Sequence, residues 1–327
     1  MQYVNFGNAG VKVSPIALGL GLRGQESPQE AQKLIEHAIE SGINLIDCAN
    51  VYGLGDEQRQ RGTSEQILSR VLKKKRDSIV ITSKAHSPMG NGPNDSGSSR
   101  YHIMEQAENS LRRLETNHID IYLLHGWDVN TPIDETVRAL DDLVTDGKVR
   151  YIGVCNFAAW QVCKMLWNQE TVGADPLITI QNQYSLLKRD PEEELFPMVR
   201  DQGIGVMAFS PLAVGLLSGT YGTDGSAPDG SMWGRTDRIE KLKDLMTPET
   251  VAVIETVKKI ALERGKTMAQ VAVNWVLSNP EVTIAISGSD TIEQLDDNLG
   301  ALGWDLSAEE LNLLDTVSSK ISKIQDL

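Results

Sequence analysis

The sequence predicts a (β/α)8 barrel, and two observations carry that prediction. Eight short apolar runs recur along the chain, at 16–21, 44–52, 78–85, 119–126, 149–157, 177–185, 203–212 and 282–289. Most place apolar residues on consecutive positions, as strands of a parallel sheet buried on both faces do, rather than alternating them as hairpins do. Between them lie segments of helical period, and alternating strands and helices of this number close into a barrel.

The elements follow in order. YVNF and VKVS flank Gly7-Asn8-Ala9-Gly10, which reads as a small hairpin closing the barrel bottom. SPQEAQKLIEHAIESG then sets Ala31, Leu34, Ile35, Ala38 and Ile39 on one helical face, with Ser27 as N-cap before Pro28 and an end near Gly42. Similar patterns occupy 99–115, 134–146, 249–264 and 307–320, with shorter ones at 63–73, 158–167, 193–201 and 291–300. Two stretches rich in Gly, Ser, Pro and Asn or Asp, 86–100 and 218–236, break this rhythm just after strand ends. They are expected to be mobile lids, the second carrying Trp233. The whole of 1–327 is expected to form one domain.

Charge and composition exclude several classes of partner. A formal charge of −14 and a pI near 4.9 create a field that repels nucleic acid and anionic membrane surfaces. Cys48, Cys155 and Cys163 lack metal or disulfide-framework spacing, which fits free thiols in a reducing compartment. The start, MQYVNFGNAGVKV, has no apolar run of signal-peptide length, and no run long enough to span a bilayer follows, so a cytoplasmic location is expected. With only five histidines and no paired Cys or His ligand spacing, a metal-dependent hydrolase is disfavoured and no metal is expected.

Four polar residues sit at or just beyond the ends of three of the apolar runs. They are Asp47 and Tyr52 in NLIDCANVYG, Lys84 in SIVITSKAH and His125 in IDIYLLHGWD. In a parallel barrel those positions meet at one mouth, and a phenol, an ammonium, a carboxylate and an imidazole together make a proton-transfer site.

NLIDCANVYG, ITSKA, SLRRLETNHIDIYLLHGWD, GKVRYIGVCNF, IQNQYSLL, AFSPLAVGLLSG and SGSDTIEQLDDNLGAL keep the order and spread of motifs over almost the whole chain. In these the sequence resembles the aldo-keto reductase superfamily, on its bacterial, plant and potassium-channel β-subunit side. The resemblance implies reversible hydride transfer between a nicotinamide cofactor, NAD(P)(H), and a carbonyl or alcohol: an aldehyde, a ketone, or a sugar or polyol. It places Tyr52 as general acid, Lys84 and Asp47 as the pair that tunes it, and His125 as the group orienting the substrate oxygen. The chemistry is coherent, because a carbonyl taking hydride becomes an alkoxide that needs a proton at that moment. A neighbouring ammonium is expected to lower the tyrosine pKa from about 10.

The same resemblance assigns the cofactor contacts. Cys155, Asn156 and Gln181 fall where the nicotinamide carboxamide is held, although the usual serine is here Cys155, a weaker hydrogen-bonding group. Phe209 falls where an aromatic stacks under the nicotinamide. Ser210, Pro211, Leu212 and Ser218 fall in the pyrophosphate segment, and Ser287, Gly288 and Ser289 precede a helix start that can attract phosphate. Gln294, Asp297 and Asn298 fall at the adenosine positions. Asp290 stands where many relatives carry a group for the 2′-phosphate, and its carboxylate would repel that phosphate yet accept bonds from free ribose hydroxyls. This tilts the expectation from NADP, the family's habit, toward NAD or dual use, with a helix N-cap as the competing role for Asp290.

Substrate contacts are less defined. Leu22, Trp127 and Trp233, with Leu20 and Trp160 nearby, could wall a pocket suited to sugars or flat carbonyl compounds. The acidic pair Asp56-Glu57 reads as a solvated rim. A second reading keeps the cofactor site but makes the chain a cofactor-sensing regulatory subunit with little turnover, against which the short N-terminus weighs. The sequence shows no pattern for an oligomeric interface.

Overall fold

A computed structural model describes residues 1–25, 27–56, 60–73 and 75–321. Eight parallel strands close into a barrel: β3 (Ile16–Gly19), β4 (Leu45–Asp47), β5 (Val80–Ala85), β6 (Ile119–Leu124), β7 (Val149–Cys155), β8 (Thr179–Gln183), β9 (Gly205–Phe209) and β10 (Val282–Ser287). Each strand pairs with its neighbours in sequence, and β10 returns to β3 through Ala285 opposite Ile16. All eight expected strands are present, shorter than their apolar runs. The run at 44–52 yields only the three residues of β4, so Tyr52 lies in the following loop.

Two apolar layers explain the near-continuous hydrophobic runs. Ala17, Leu45, Ile121, Leu123, Met207, Ile284 and Ile286 fill the barrel interior. Residues on the other face, such as Ile16, Leu18, Ile46 and Ile81, pack under the helices. The expected hairpin is β1 (Val4–Asn5) against β2 (Lys12–Val13), antiparallel. It plugs the barrel bottom: Phe6 and Val13 join the interior cluster, and Asn8 N donates to Gly203 O at 3.0 Å. Gly7 has φ 56, and a Cβ there would lie 2.5 Å from Gly205 N, so no side chain is tolerated where hairpin and β9 touch.

The outer helices are α1 (Pro28–Glu40), α2 (Thr63–Leu72), α3 (Arg100–Leu114), α4 (Ile133–Thr145), α5 (Ala159–Val172), α6 (Leu195–Gln202), α7 (Ile239–Leu245), α8 (Pro248–Arg264), α9 (Met268–Ser278), α10 (Ile292–Leu299) and α11 (Ala308–Ser318). Ser27 caps α1 by accepting from Glu30 N at 3.3 Å, with Pro28 at its first position. Helices α7 and α9 are additions to the sequence reading. No described helix is long and apolar enough to cross a membrane.

Candidate active site

The barrel strands deliver their C-terminal ends to one mouth. Asp47 ends β4 and lies opposite Thr82 of β5, while Lys84 on β5 lies opposite Leu123 of β6, one residue short of the strand end. Beyond Asp47 the chain follows the end of β5, with Cys48 N bonded to Thr82 O at 2.9 Å and Asn50 N to Lys84 O at 3.3 Å. It then turns so that Tyr52 comes back over Lys84. The turn requires Gly53, because a Cβ there would meet Gln60 O at 2.1 Å. His125 begins the loop after β6, its N–H held by Ala85 O at 2.8 Å.

These four residues form one connected group. Lys84 Nζ donates to both Asp47 oxygens at 2.8 Å, to Cys48 O at 2.8 Å, and to Tyr52 Oη at 3.4 Å. An ammonium has three protons for these four acceptors, and the phenol, at the longest distance, is the weakest of them. The ammonium and carboxylate are both buried, so this is a desolvated ion pair. Asp47 Oδ1 also accepts from Thr82 Oγ1 at 2.5 Å and from Gln181 Nε2 at 2.8 Å. The Tyr52 and His125 rings meet edge-on, with centroids 5.7 Å apart.

Electrostatics correct one expectation. Burial pushes the Tyr52 phenol up to about 12, and the Lys84 ammonium offsets only part of this. The lowering expected from the ammonium is outweighed by the desolvation of the buried ring. Burial favours the neutral form of Lys84, yet Asp47 outweighs it and the ammonium is held above its ordinary pKa. Burial, then Lys84 and His86, push His125 down to about 3, so its imidazole is neutral. The group therefore presents a protonated phenol beside a neutral imidazole, which is the state of a proton donor to a developing oxyanion.

Gln181 and Cys155 adjoin this group directly. Gln181 donates to Asp47, and its Oε1 accepts from Cys155 Sγ at 3.6 Å. Asn156 has φ 60, and its Nδ2 donates to His125 O at 3.0 Å, tying the β7 and β6 loops together. Leu22, His86, Asn156 and Ser210 all take positive φ just after β3, β5, β7 and β9. Left-handed backbone at non-glycine residues costs energy, and its concentration at one barrel mouth fits a functional surface.

Phe209 ends β9 in register with Gln183, whose Nε2 is buried without a partner among the described residues. Ser210, Pro211 and Leu212 open a chain of tight turns that includes Ala213, Val214 and Gly215, all at positive φ. Ser218 closes the run, its Oγ donating to Gly215 O at 2.7 Å. At the end of β10, Ser287 and Ser289 turn their hydroxyls to each other at 2.7 Å and to Asn298 Nδ2 at 2.9 and 3.1 Å. Gly288 between them is exposed, and a Cβ there would meet nothing within 4 Å. An approaching anion would therefore meet open backbone at Gly288 rather than free serine hydroxyls. An unpartnered buried amide beside Phe209 and an open glycine ahead of α10 fit a nicotinamide dinucleotide laid across the mouth.

The N-cap of α10 is Thr291, which accepts from Gln294 N at 3.2 Å, so capping is not the role of Asp290. The Asp290 carboxylate instead accepts from Gly24 N at 3.0 Å, and its carbonyl accepts from Gln25 Nε2. Gln294 Oε1 accepts from Asp290 N at 2.8 Å. Burial raises the Asp290 pKa, against the Gly24 N–H and Arg23. Asp297 turns away from this group, accepting from Thr267 Oγ1 at 2.8 Å and Gln270 Nε2 at 2.9 Å at the start of α9.

Trp233 departs most from its expected place. It is buried in the main core, and its Nε1 donates to Val214 O at 3.0 Å, so it anchors the 218–236 segment rather than riding on a mobile lid. Trp127 stacks edge-on with Phe157 and Trp160, at 5.4 and 5.5 Å, beside the His125 loop. Leu20 and Leu22 are buried after β3. Glu57 of the acidic pair lies outside the described residues. The reading of the sequence missed His86, whose ring packs on Gly126, and Asp128. A histidine standing one residue past β5 was the available signal.

A parallel barrel with a buried Lys-Asp pair beneath a tyrosine and a histidine at its C-terminal mouth defines a class, that of barrel oxidoreductases. The chain belongs to the aldo/keto reductase family, whose profile matches residues 15–319. It is 36% identical over 325 residues to the Bacillus subtilis (strain 168) protein named "Uncharacterized oxidoreductase YrpG", covering 97% of this chain and 96% of that one. It is 32% identical to an Escherichia coli (strain K12) "L-glyceraldehyde 3-phosphate reductase", covering 96% and 92%. It is also 32% identical to an Arabidopsis thaliana "Probable voltage-gated potassium channel subunit beta", covering 92% and 91%. Family membership supports oxidoreductase activity on small carbonyl compounds, and the family generally uses NAD(P)(H).

Proposed function

We propose that this chain is a nicotinamide-dependent carbonyl reductase, with Tyr52 as the proton donor. The observation that carries the reading is the buried ammonium of Lys84, which joins Asp47 to the Tyr52 hydroxyl. When bound, the nicotinamide would supply hydride from its C4 to the carbonyl carbon. As the carbonyl oxygen gains negative charge, Tyr52 transfers its proton to it, and Lys84 stabilises the phenolate left behind. Asp47 keeps Lys84 charged and aimed. His125, neutral, orients the same oxygen by a hydrogen bond. In the oxidative direction the phenolate would act as base, and a phenol held near 12 stands ready as the acid of reduction near neutral pH.

Phe209 with Asn156 and Gln181 would hold the nicotinamide end, and the 210–218 turns with Gly288 the pyrophosphate. Asp290 favours NADH over NADPH by charge. Arg23 faces the same carboxylate and offsets part of that charge, so NADPH is retained as a weaker cofactor rather than excluded. The substrate is an aldehyde, ketone or sugar, and the relative named as a reductase of L-glyceraldehyde 3-phosphate supports an aldehyde.

Titration with NADH and NADPH, followed by intrinsic tryptophan fluorescence, tests this reading. Binding of both with NADH tighter is expected. A hundredfold preference for NADPH would overturn the role given to Asp290, and no response to either would overturn the cofactor site.

A further inference from the structure

The outer face of α5 is built the wrong way round for a surface helix. Its inner side buries Val162 and Met165 in the core, and a helix so placed ordinarily turns charged residues to water. Here Trp160, Cys163 and Trp167 face outward instead, at spacings of three and four that set them in one stripe. Trp160 is 57% exposed and Trp167 73%, the largest apolar side chains left exposed among the described residues. Helix α5 carries two charged residues in fourteen, Lys164 and Glu170, where neighbouring α4 carries five in thirteen.

The stripe is continuous with a cavity of about 390 Å³ beside it, lined among others by Trp127, Val129, Trp160 and Lys164. Val129 is exposed there as well. Two contacts hold this surface in place: the Trp160 ring meets Trp127 edge-on at 5.5 Å, and the Lys164 ammonium lies over the Trp127 ring, 5.7 Å from its centroid. The ammonium is thereby drawn toward the loop after β6, and a Trp160 already fixed loses little freedom when it is covered. The exposed parts of the two indoles come to on the order of 300 Å², and Cys163, Val129 and the Lys164 stem bring the face to on the order of 500 Å². A standard interface takes about 800 Å² from each partner, so a contact built on this face is small and reversible.

A second copy of this chain is the occupant that charge and shape favour. Two chains of charge −14 repel each other over most of their surface, and least where a face is nearly free of carboxylates. In a two-fold pair the same patch meets itself. With two α5 helices antiparallel and crossing at Cys163, Trp160 of one copy, three residues before the crossing, falls beside Trp167 of the other, four residues after it. The reverse contact repeats at the far end. The small Cys163 side chain at the crossing lets the axes approach to the ~8–10 Å of packed helices. We propose that α5 is a self-association face, through which two copies form a reversible two-fold dimer with the indoles of Trp160 and Trp167 at its centre. The proposal needs no part of the carbonyl-reductase reading, since Asp47, Tyr52, Lys84 and His125 all lie outside α5.

Sedimentation equilibrium of the full chain from about 1 to 200 µM tests this, with half-dimerisation expected on the order of 10 µM and a limiting mass twice the 35.9 kDa of one chain. Trp167→Glu should weaken the dimer by about thirtyfold or more, since it sets a carboxylate against an indole at both ends, and Trp160→Ser should act in the same direction. Circular dichroism and melting temperature check that these exposed positions leave the fold intact. Oxidation by copper phenanthroline should join wild-type chains into covalent dimers, and Cys163→Ser should prevent it, because Cys48 and Cys155 are buried while Cys163 is exposed. A wild type that stays monomeric at the highest concentration would overturn the proposal, and pelleting of that monomer with phosphatidylcholine vesicles would assign the stripe to a lipid surface instead. An oligomer that neither dissociates with Trp167→Glu nor cross-links at Cys163 would place the interface on another face and overturn it equally.

Discussion

Lys84 Nζ lies 2.8 Å from both carboxylate oxygens of Asp47 and 3.4 Å from the Tyr52 hydroxyl. The ammonium is therefore committed first to the carboxylate and only then to the phenol. Both charges are buried, so each depends on the other for its solvation. Replacing Lys84 by Met leaves a buried carboxylate with only the neutral donors Thr82 and Gln181 and should cost about 3–5 kcal/mol. Combining Lys84→Met with Asp47→Asn should recover part of that loss, because no uncompensated charge remains. Urea unfolding of the two variants measures this, and a double variant less stable than Lys84→Met alone would contradict it.

The pH profile follows from two opposite shifts. Tyr52 donates only while protonated, and it is held near 12, so its activity as an acid is complete at neutral pH and declines only as pH rises toward that value. His125 is neutral above about 3, so it imposes no limb in the ordinary acid range. The rate of carbonyl reduction at saturating substrate should then be flat across neutral pH. A break near 6 to 7 in kcat, where an unperturbed histidine titrates at about 6.5, would show that His125 or His86 changes charge during turnover.

Trp233 fastens the 218–236 segment through its buried ring and its bond to Val214 O. Its replacement by Ala should destabilise the protein by roughly 3–5 kcal/mol, the usual cost of emptying a large aromatic site. Limited proteolysis should find new cleavage within that segment. If Trp233 served the substrate instead, the variant would keep its stability and show a raised KM.

How much of this was legible in the sequence depends on what each residue reports about its surroundings. Asp47, Lys84 and His125 could be placed because a polar residue ending an apolar run marks the strand's C-terminal end, and a barrel gathers such ends. Helix α9 escaped because MAQVAVNWVLS is apolar at most positions, and its polar stripe is only three residues wide, Gln270, Asn274 and Ser278 at a spacing of four. Its capping box, Thr267 with Gln270, was the usable signal. The direction of the Tyr52 shift was not legible, since proximity to Lys84 can be guessed from the strand order but the depth of burial cannot. Likewise nothing local distinguished Asp290 from an N-cap until Thr291 was seen to fill that role. His86 and Asp128 meet across two loops, and loop pairing leaves no periodic trace.

The most direct test of the account is the Tyr52→Phe variant, measured in one preparation for NADH affinity by tryptophan fluorescence and for kcat in carbonyl reduction. The hydroxyl acts only as the oxygen gains charge, so affinity should stay within about twofold while kcat falls by about 10²- to 10⁴-fold. Retention of kcat with unchanged affinity would contradict Tyr52 as the proton donor.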